Sequence, residues 1–135
     1  MKSLDTNVLA RFFIDDEQDP EAIKQRPAAV ATLSQRCWVS VTVLLEFEWV
    51  MRGFYGLARR DISRVLRALV GIEHLSIDDR AGVLQAIEGY DAGLDFADAM
   101  HLARSTKASD FVTFNRKLAK RTAALGLTPK VELLA

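Results

Sequence analysis

Four acidic side chains, Asp5, Glu46, Asp95 and Asp98, occupy positions from which they can act together, and Asn115 is a fifth polar residue of the same kind. Carboxylate and amide oxygens are hard ligands, so such a set suits Mg²⁺ or Mn²⁺ better than zinc. Asp95 and Asp98 are three residues apart, a spacing that puts both carboxylates on one helix face. Glu46 lies in the apolar run VTVLLEFEWV, where burying an unpaired charge is costly and a cation removes the cost. Each acid also has a plainer reading. Asp5 can be a strand-end residue accepting hydrogen bonds from the amides of Asn7 and Val8. Glu46 can pair with Arg52 or sit on the exposed edge of a buried helix. Asp95 with Asp98 is a helix-capping arrangement that also suits the helix dipole. Glu48 is expected to face solvent.

These residues need elements that carry them to one place. The apolar pattern alternates short runs with helical periodicities, the βαβ signature of an α/β fold with a parallel sheet covered on both faces. Lys2–Asp5 reads as a short first strand and Thr6–Ile14 as a helix. Residues 21–35 look helical, with Pro27 leaving open whether that helix begins there or kinks. Cys37–Val41 suits a buried second strand, and Ser40 or Thr42 can cap a helix running to about Arg52. Ile62, Val65, Leu66, Leu69 and Val70 recur at helical spacing before Gly71. Glu73–Ile77 reads as the third strand, and Asp78 as the cap of a helix reaching about Tyr90 with Val83, Ile87 and Tyr90 buried. Asp95–Ser105 is a helix whose Ala97, Ala99 and Ala103 permit close packing on the sheet. Phe111–Phe114 is a fourth strand, Asn115–Leu125 a helix stopped by Gly126, and Lys130–Leu133 an edge strand. In this reading Asp5, Glu46, Asp95, Asp98 and Asn115 all lie near carboxyl ends of strands, where open parallel sheets bind their ligands.

Composition narrows the chemistry. The chain has 135 residues, half of them apolar, which fits a single domain over 1–135. Its 18 Lys and Arg balance 18 Asp and Glu, but unevenly. Residues 1–98 hold 11 basic and 16 acidic side chains, and 99–135 hold 7 and 2, so the C-terminal third is the positive pole. Cys37 is the only cysteine, so no intrachain disulfide forms. His74 and His101 share no motif with it, which leaves zinc and Cys/His nucleophile sites without ligands or partners. The glycines form neither GxGxxG nor GxxxxGK[ST]. Haloacid-dehalogenase-like phosphatases need a second Asp where this chain has Asn7. No signal peptide and no apolar run near the roughly 18 residues of a membrane span is present, so a soluble, cytoplasmic protein is expected.

The segments LDTNVLARFFIDD (4–16), SVTVLLEFEWV (40–50), GLDFADAMHLA (93–103) and FVTFNRKLAKRTAALGL (111–127) together resemble PIN domains, specifically the VapC-type toxins of bacterial type II toxin–antitoxin modules. The resemblance covers essentially the whole chain and implies a three-layer α/β/α fold with a central parallel sheet of about five strands. It places the family's metal-binding acids on Asp5, Glu46 and Asp98, with Asp95 at a neighbouring position that is often acidic. Asn7 matches the supporting polar residue beside the first Asp, and Thr113 the Thr ahead of the fourth acidic position. That position is Asn115 here, where many relatives carry Asp. An amide ligates through its oxygen but adds no charge and cannot act as a base.

The resemblance implies Mg²⁺- or Mn²⁺-dependent cleavage of RNA phosphodiesters, with one or two ions per site and 5′-phosphate products. Asp5 and Asp98 become principal ligands, Glu46 a ligand or water-orienting base, Asp95 an auxiliary ligand, and Asn115 with Thr113 weak or supporting ligands. Arg104, Lys107, Arg116, Lys117, Lys120 and Arg121 would hold the phosphate backbone, without reading sequence. Family precedent points to tRNA or other structured RNA, to homodimers, and to a VapB-type antitoxin, for which Phe47, Trp49 and Phe54 can build a groove. Core packing is the competing reading of those aromatics. Two other classes stay open: a PIN-like RNA- or protein-binding module, which Asn115 favours, and a PIN nuclease of RNA maturation without an antitoxin.

Overall fold

The computed structural model describes residues 1–135, which form two compact units, Met1–Asp78 and Asp79–Ala135. Together they hold five strands and seven helices, and every strand pairing is parallel, so the fold class is α/β. The strands hydrogen-bond as a three-stranded and a two-stranded sheet rather than as one five-stranded ladder. No helix is long and apolar enough to cross a membrane.

The first unit runs β1 (Lys2–Ser3), α1 (Thr6–Phe13), α2 (Pro20–Leu33), β2 (Cys37–Val39), α3 (Val41–Gly53), α4 (Arg59–Val70) and β3 (Leu75–Ile77). Its sheet has the order β1-β2-β3, with Lys2 opposite Cys37 and Cys37 opposite Leu75. The middle strand is the most enclosed: Cys37 and Val39 are buried. Leu9, Leu44, Phe47, Met51, Ile62, Leu66 and Leu69 form the helical side of this core. Pro27 neither starts nor ends α2. The helix begins at Pro20, whose fixed φ suits a first turn, under an Asp19 cap that accepts from the Glu21 amide at 3.0 Å. Pro27 and Ile23 are both exposed, so the carbonyl that loses its helical donor is on the solvent side.

The second unit runs α5 (Arg80–Asp91), α6 (Phe96–Ala103), β4 (Asp110–Thr113), α7 (Arg116–Leu125) and β5 (Lys130–Leu133). The cap of α5 is Asp79, not Asp78. Asp79 takes a left-handed backbone (φ 56°) that turns its carboxylate onto the Gly82 amide at 3.0 Å. Gly82 makes room for it, since a Cβ there would lie 2.3 Å from Asp79 Oδ2. Ala99, one of the small residues of α6, packs against helix α5. A Cβ on Gly89 of α5 would come within 3.2 Å of the Ala99 Cβ, so these two positions let α5 and α6 approach closely. The Tyr90 and Phe96 rings meet edge to face, 5.5 Å apart, beside them. β4 and β5 pair from Asp110 opposite Lys130 to Thr113 opposite Leu133.

Candidate functional site

Within the first unit the chain turns from β1 into α1 at Asp5, the helix N-cap. Its Oδ1 accepts from the Thr6 amide at 2.8 Å. The amides of Asn7 and Val8 are not its partners; the Val8 N–H bonds the Asp5 main-chain carbonyl instead. A carboxylate at this end of a helix is favoured by the aligned peptide dipoles, and Asp5 remains exposed and open to a cation. Thr6 is buried at 3% exposure, and its hydroxyl donates to Glu46 Oε1 on α3. One residue therefore grips two acids, the first through its amide and the second through its side chain. Asn7 is exposed beside them.

Glu48 is buried where solvent exposure is expected, and Glu46 takes the exposed edge of the buried helix, one of its two plainer readings. Ser40 caps α3 through the Val43 amide, and the buried face of that helix is Val41, Leu44, Phe47, Glu48 and Met51. Glu46 falls off this face and is exposed. Glu48 is buried at 4% and is neutralised by Arg52, one turn on, with Nε–Oε2 at 2.9 Å. Arg52 is thus the partner of Glu48 and not of Glu46. Thr6, not burial, is what holds Glu46.

Within the second unit, Asp95 caps α6 with its Oδ2 on the Asp98 amide at 3.1 Å, so the capping role is real. Asp98 is half-buried, and its carboxyl is pushed above the usual carboxylate range. Burial is the main cause and the adjacent charge of Asp95 the second, with His101 partly opposing them. A bound cation relieves both burdens, which is the fit expected of a metal ligand pair. Asn115 caps α7, its Oδ1 accepting from the Leu118 amide at 3.1 Å, while Thr113 Oγ1 accepts from the Asn115 amide at 3.0 Å. The amide oxygen available for a metal is therefore already engaged in a cap. Neither unit by itself gathers three or more His, Cys, Asp or Glu side chains that could hold an ion. The candidate donors form one pair in each unit, Asp5 with Glu46 in the first and Asp95 with Asp98 in the second, all oxygen and chemically suited to a hard divalent cation.

The basic residues divide in two. Arg104 pairs with Asp79 at 3.2 Å and Arg121 donates to the Gly93 carbonyl at 2.6 Å, so both brace their own unit. Lys107, Arg116, Lys117 and Lys120 are exposed and form no ion pair. The aromatic set divides as well. Phe47 is fully buried, with its ring 6.0 Å from that of Phe13, and is core rather than part of a partner surface. Trp49 and Phe54 are 58% and 71% exposed. Thr6 is the site residue that sequence reading misses. Its only signal is a hydroxyl directly after a strand-end Asp, a place where Thr usually serves the backbone alone.

Comparison with known proteins identifies the family. The PIN domain family profile matches residues 3–124. The chain is 25% identical over 123 residues to a protein of Aquifex aeolicus (strain VF5) named VapC ribonuclease, covering 89% of this chain and 91% of that one. No solved structure matches it. The strand-end Asp held at a helix start and the acidic pair opening α6 are thus features of a chain that belongs to the PIN domain family.

Proposed function

We propose that this chain is a divalent-metal-dependent endoribonuclease, the toxin of a type II toxin–antitoxin module. In this reading it hydrolyses phosphodiester bonds of tRNA or other structured RNA and is neutralised by a VapB-type antitoxin. The family match over 3–124 carries the reading. It is supported by the similarity to a VapC ribonuclease and by a donor set made of oxygen alone. The two units are proposed to work as one PIN domain, with Asp5, Glu46 and Asp98 as the acids that hold Mg²⁺ or Mn²⁺ and Asp95 as their auxiliary.

The bound metal would supply positive charge for the developing phosphorane and acidify a water. The residues do the rest. Asp5 presents a carboxylate fixed by the Thr6 amide, so little ordering is left for the moment of reaction. Glu46, steered by the Thr6 hydroxyl, keeps Oε2 available to orient an attacking water or accept its proton. Asp98 carries charge that its surroundings disfavour until a cation arrives. Exposed Lys107, Arg116, Lys117 and Lys120 attract the phosphate backbone. The engagement of the Asn115 oxygen in a helix cap favours a weakly catalytic PIN-like binding module as the second reading.

Cleavage of a labelled total-tRNA pool by antitoxin-free protein separates the two. Cutting in Mg²⁺ or Mn²⁺, stopped by EDTA and lost in Asp5→Asn/Asp98→Asn, is the expected result. Intact RNA with folded protein supports the binding module.

A further inference from the structure

Phe114 is the most water-exposed aromatic residue of the chain, at 74%, and Val112, two residues earlier on β4, is 51% exposed. Single exposed apolar side chains are ordinary; the mounting of this one is not. The backbone on both sides of the ring is pinned by three hydrogen bonds. The Leu134 amide donates to the Thr113 carbonyl at 2.8 Å, the Asn115 amide to Thr113 Oγ1 at 3.0 Å, and the Leu118 amide to Asn115 Oδ1 at 3.1 Å. A ring held outward by ordered backbone loses little freedom when something stacks on it. Arg116, Lys117 and Lys120 follow it on α7, exposed and without carboxylate partners, and the first turn of α7 has no acid.

We propose that Phe114 is a base-stacking residue that selects unpaired RNA. Its ring stacks on a nucleobase while Arg116, Lys117 and Lys120 hold the flanking phosphates. The inference rests on the ribonuclease reading and narrows its substrate to RNA with a free base beside the phosphates that α7 holds. In an A-form duplex the base faces are covered by their neighbours, and only loops, bulges and ends can offer one to a side chain. Stacking accepts any base, so the ring discriminates pairing state and not sequence. A polyanion satisfies the three cations beside the ring as it covers it, whereas a protein surface must supply matching acids or leave them desolvated.

The test is binding of the full chain, in EDTA so that no cleavage intervenes, to a short single-stranded RNA carrying 2-aminopurine and to the same strand annealed to its complement. Wild type is expected to bind the single strand at least about tenfold more tightly than the duplex and to quench the probe. Phe114→Ala is expected to lose about five- to a hundredfold in affinity together with the quench, with an unchanged circular dichroism spectrum, and Phe114→Trp to restore both. Equal binding by Phe114→Ala and wild type overturns the proposal, as does duplex bound as tightly as single strand. A change in oligomeric mass with unchanged RNA affinity assigns the ring to a protein interface instead and overturns it too. Failure of wild type to bind either RNA overturns the stacking role, and brings down the ribonuclease reading as well when the Mg²⁺- or Mn²⁺-supplied cleavage of the tRNA pool is also absent, whereas RNA held independently of Phe114 removes only the stacking role.

Discussion

Thr6 and Glu46, forty residues apart in sequence, are joined by a hydrogen bond from the Thr6 hydroxyl to the Glu46 carboxylate. The same threonine gives its amide to Asp5 at 2.8 Å. Two acids, one capping α1 and the other on α3, are thereby positioned by one small, buried residue, and the positioning is separable by mutation because one bond is main-chain and the other is not.

Thr6→Val keeps the shape and the amide bond to Asp5 but deletes the hydroxyl. A hydrogen bond to a charged group contributes about 1.5–3 kcal/mol, so a loss of roughly tenfold or more in kcat is expected, with KM little changed. Thr6→Ser is expected to restore most of the rate. Steady-state cleavage of a labelled RNA by the three proteins checks this, and a Thr6→Val enzyme as fast as wild type would remove Thr6 from the site.

Asp98→Asn is expected to raise the thermal midpoint of the metal-free protein while abolishing cleavage. The Asp98 carboxyl is raised above its ordinary value by burial and then by Asp95, so the fold favours its protonated form. The folded protein then binds more protons here than the unfolded chain, and stability falls as pH rises from the unfolded value through the folded one. The deficit grows as pH rises through that interval, and the amide abolishes it. Thermal melts in EDTA at pH 7.5, beside the cleavage assay, test both halves; a lower midpoint for the variant contradicts the account.

Asn115 separates capping from metal binding. Asn115→Asp retains a side-chain acceptor for the Leu118 amide and adds a charge that suits a helix start, so stability should change little. Half-maximal cleavage should need less Mg²⁺ than in wild type. Asn115→Ala should lose about 1 kcal/mol of stability through the missing cap. Mg²⁺ titrations and denaturant melts of the two variants give the comparison.

Phe47 and the pair Trp49 and Phe54 should part company. Phe47 is fully buried, so Phe47→Ala should cost about 3–5 kcal/mol of folding stability. Trp49→Ala/Phe54→Ala should leave the melt nearly unchanged and weaken antitoxin binding by tenfold or more, as exposed aromatic anchors do. Calorimetric titration with the proposed VapB-type antitoxin measures the second effect. Undiminished affinity would move the partner surface elsewhere.

Much of this protein is set by local chemistry and so is readable along the chain. Ser40, Asp95, Asn115 and Gly126 end or begin helices because their side chains or backbone freedom satisfy orphan amides and carbonyls within a few residues. The alternation of short apolar runs with helical periodicities determines an α/β fold with parallel pairings for the same reason. Where local signals tie, distant residues decide. Both acids of α3 flank Phe47 in one run that is apolar on nearly every side, so composition does not tell which turns inward, although only Glu48 stands at helical spacing from both Leu44 and Met51. The phase of the helix on the core settles it, burying Val41, Leu44, Phe47 and Met51, and Glu48 goes in with them against Arg52. Glu46 is left outside, to be caught by a threonine from the far end of the unit. The types of the acids were written in the sequence, but their environments depend on packing between segments that sequence spacing does not relate.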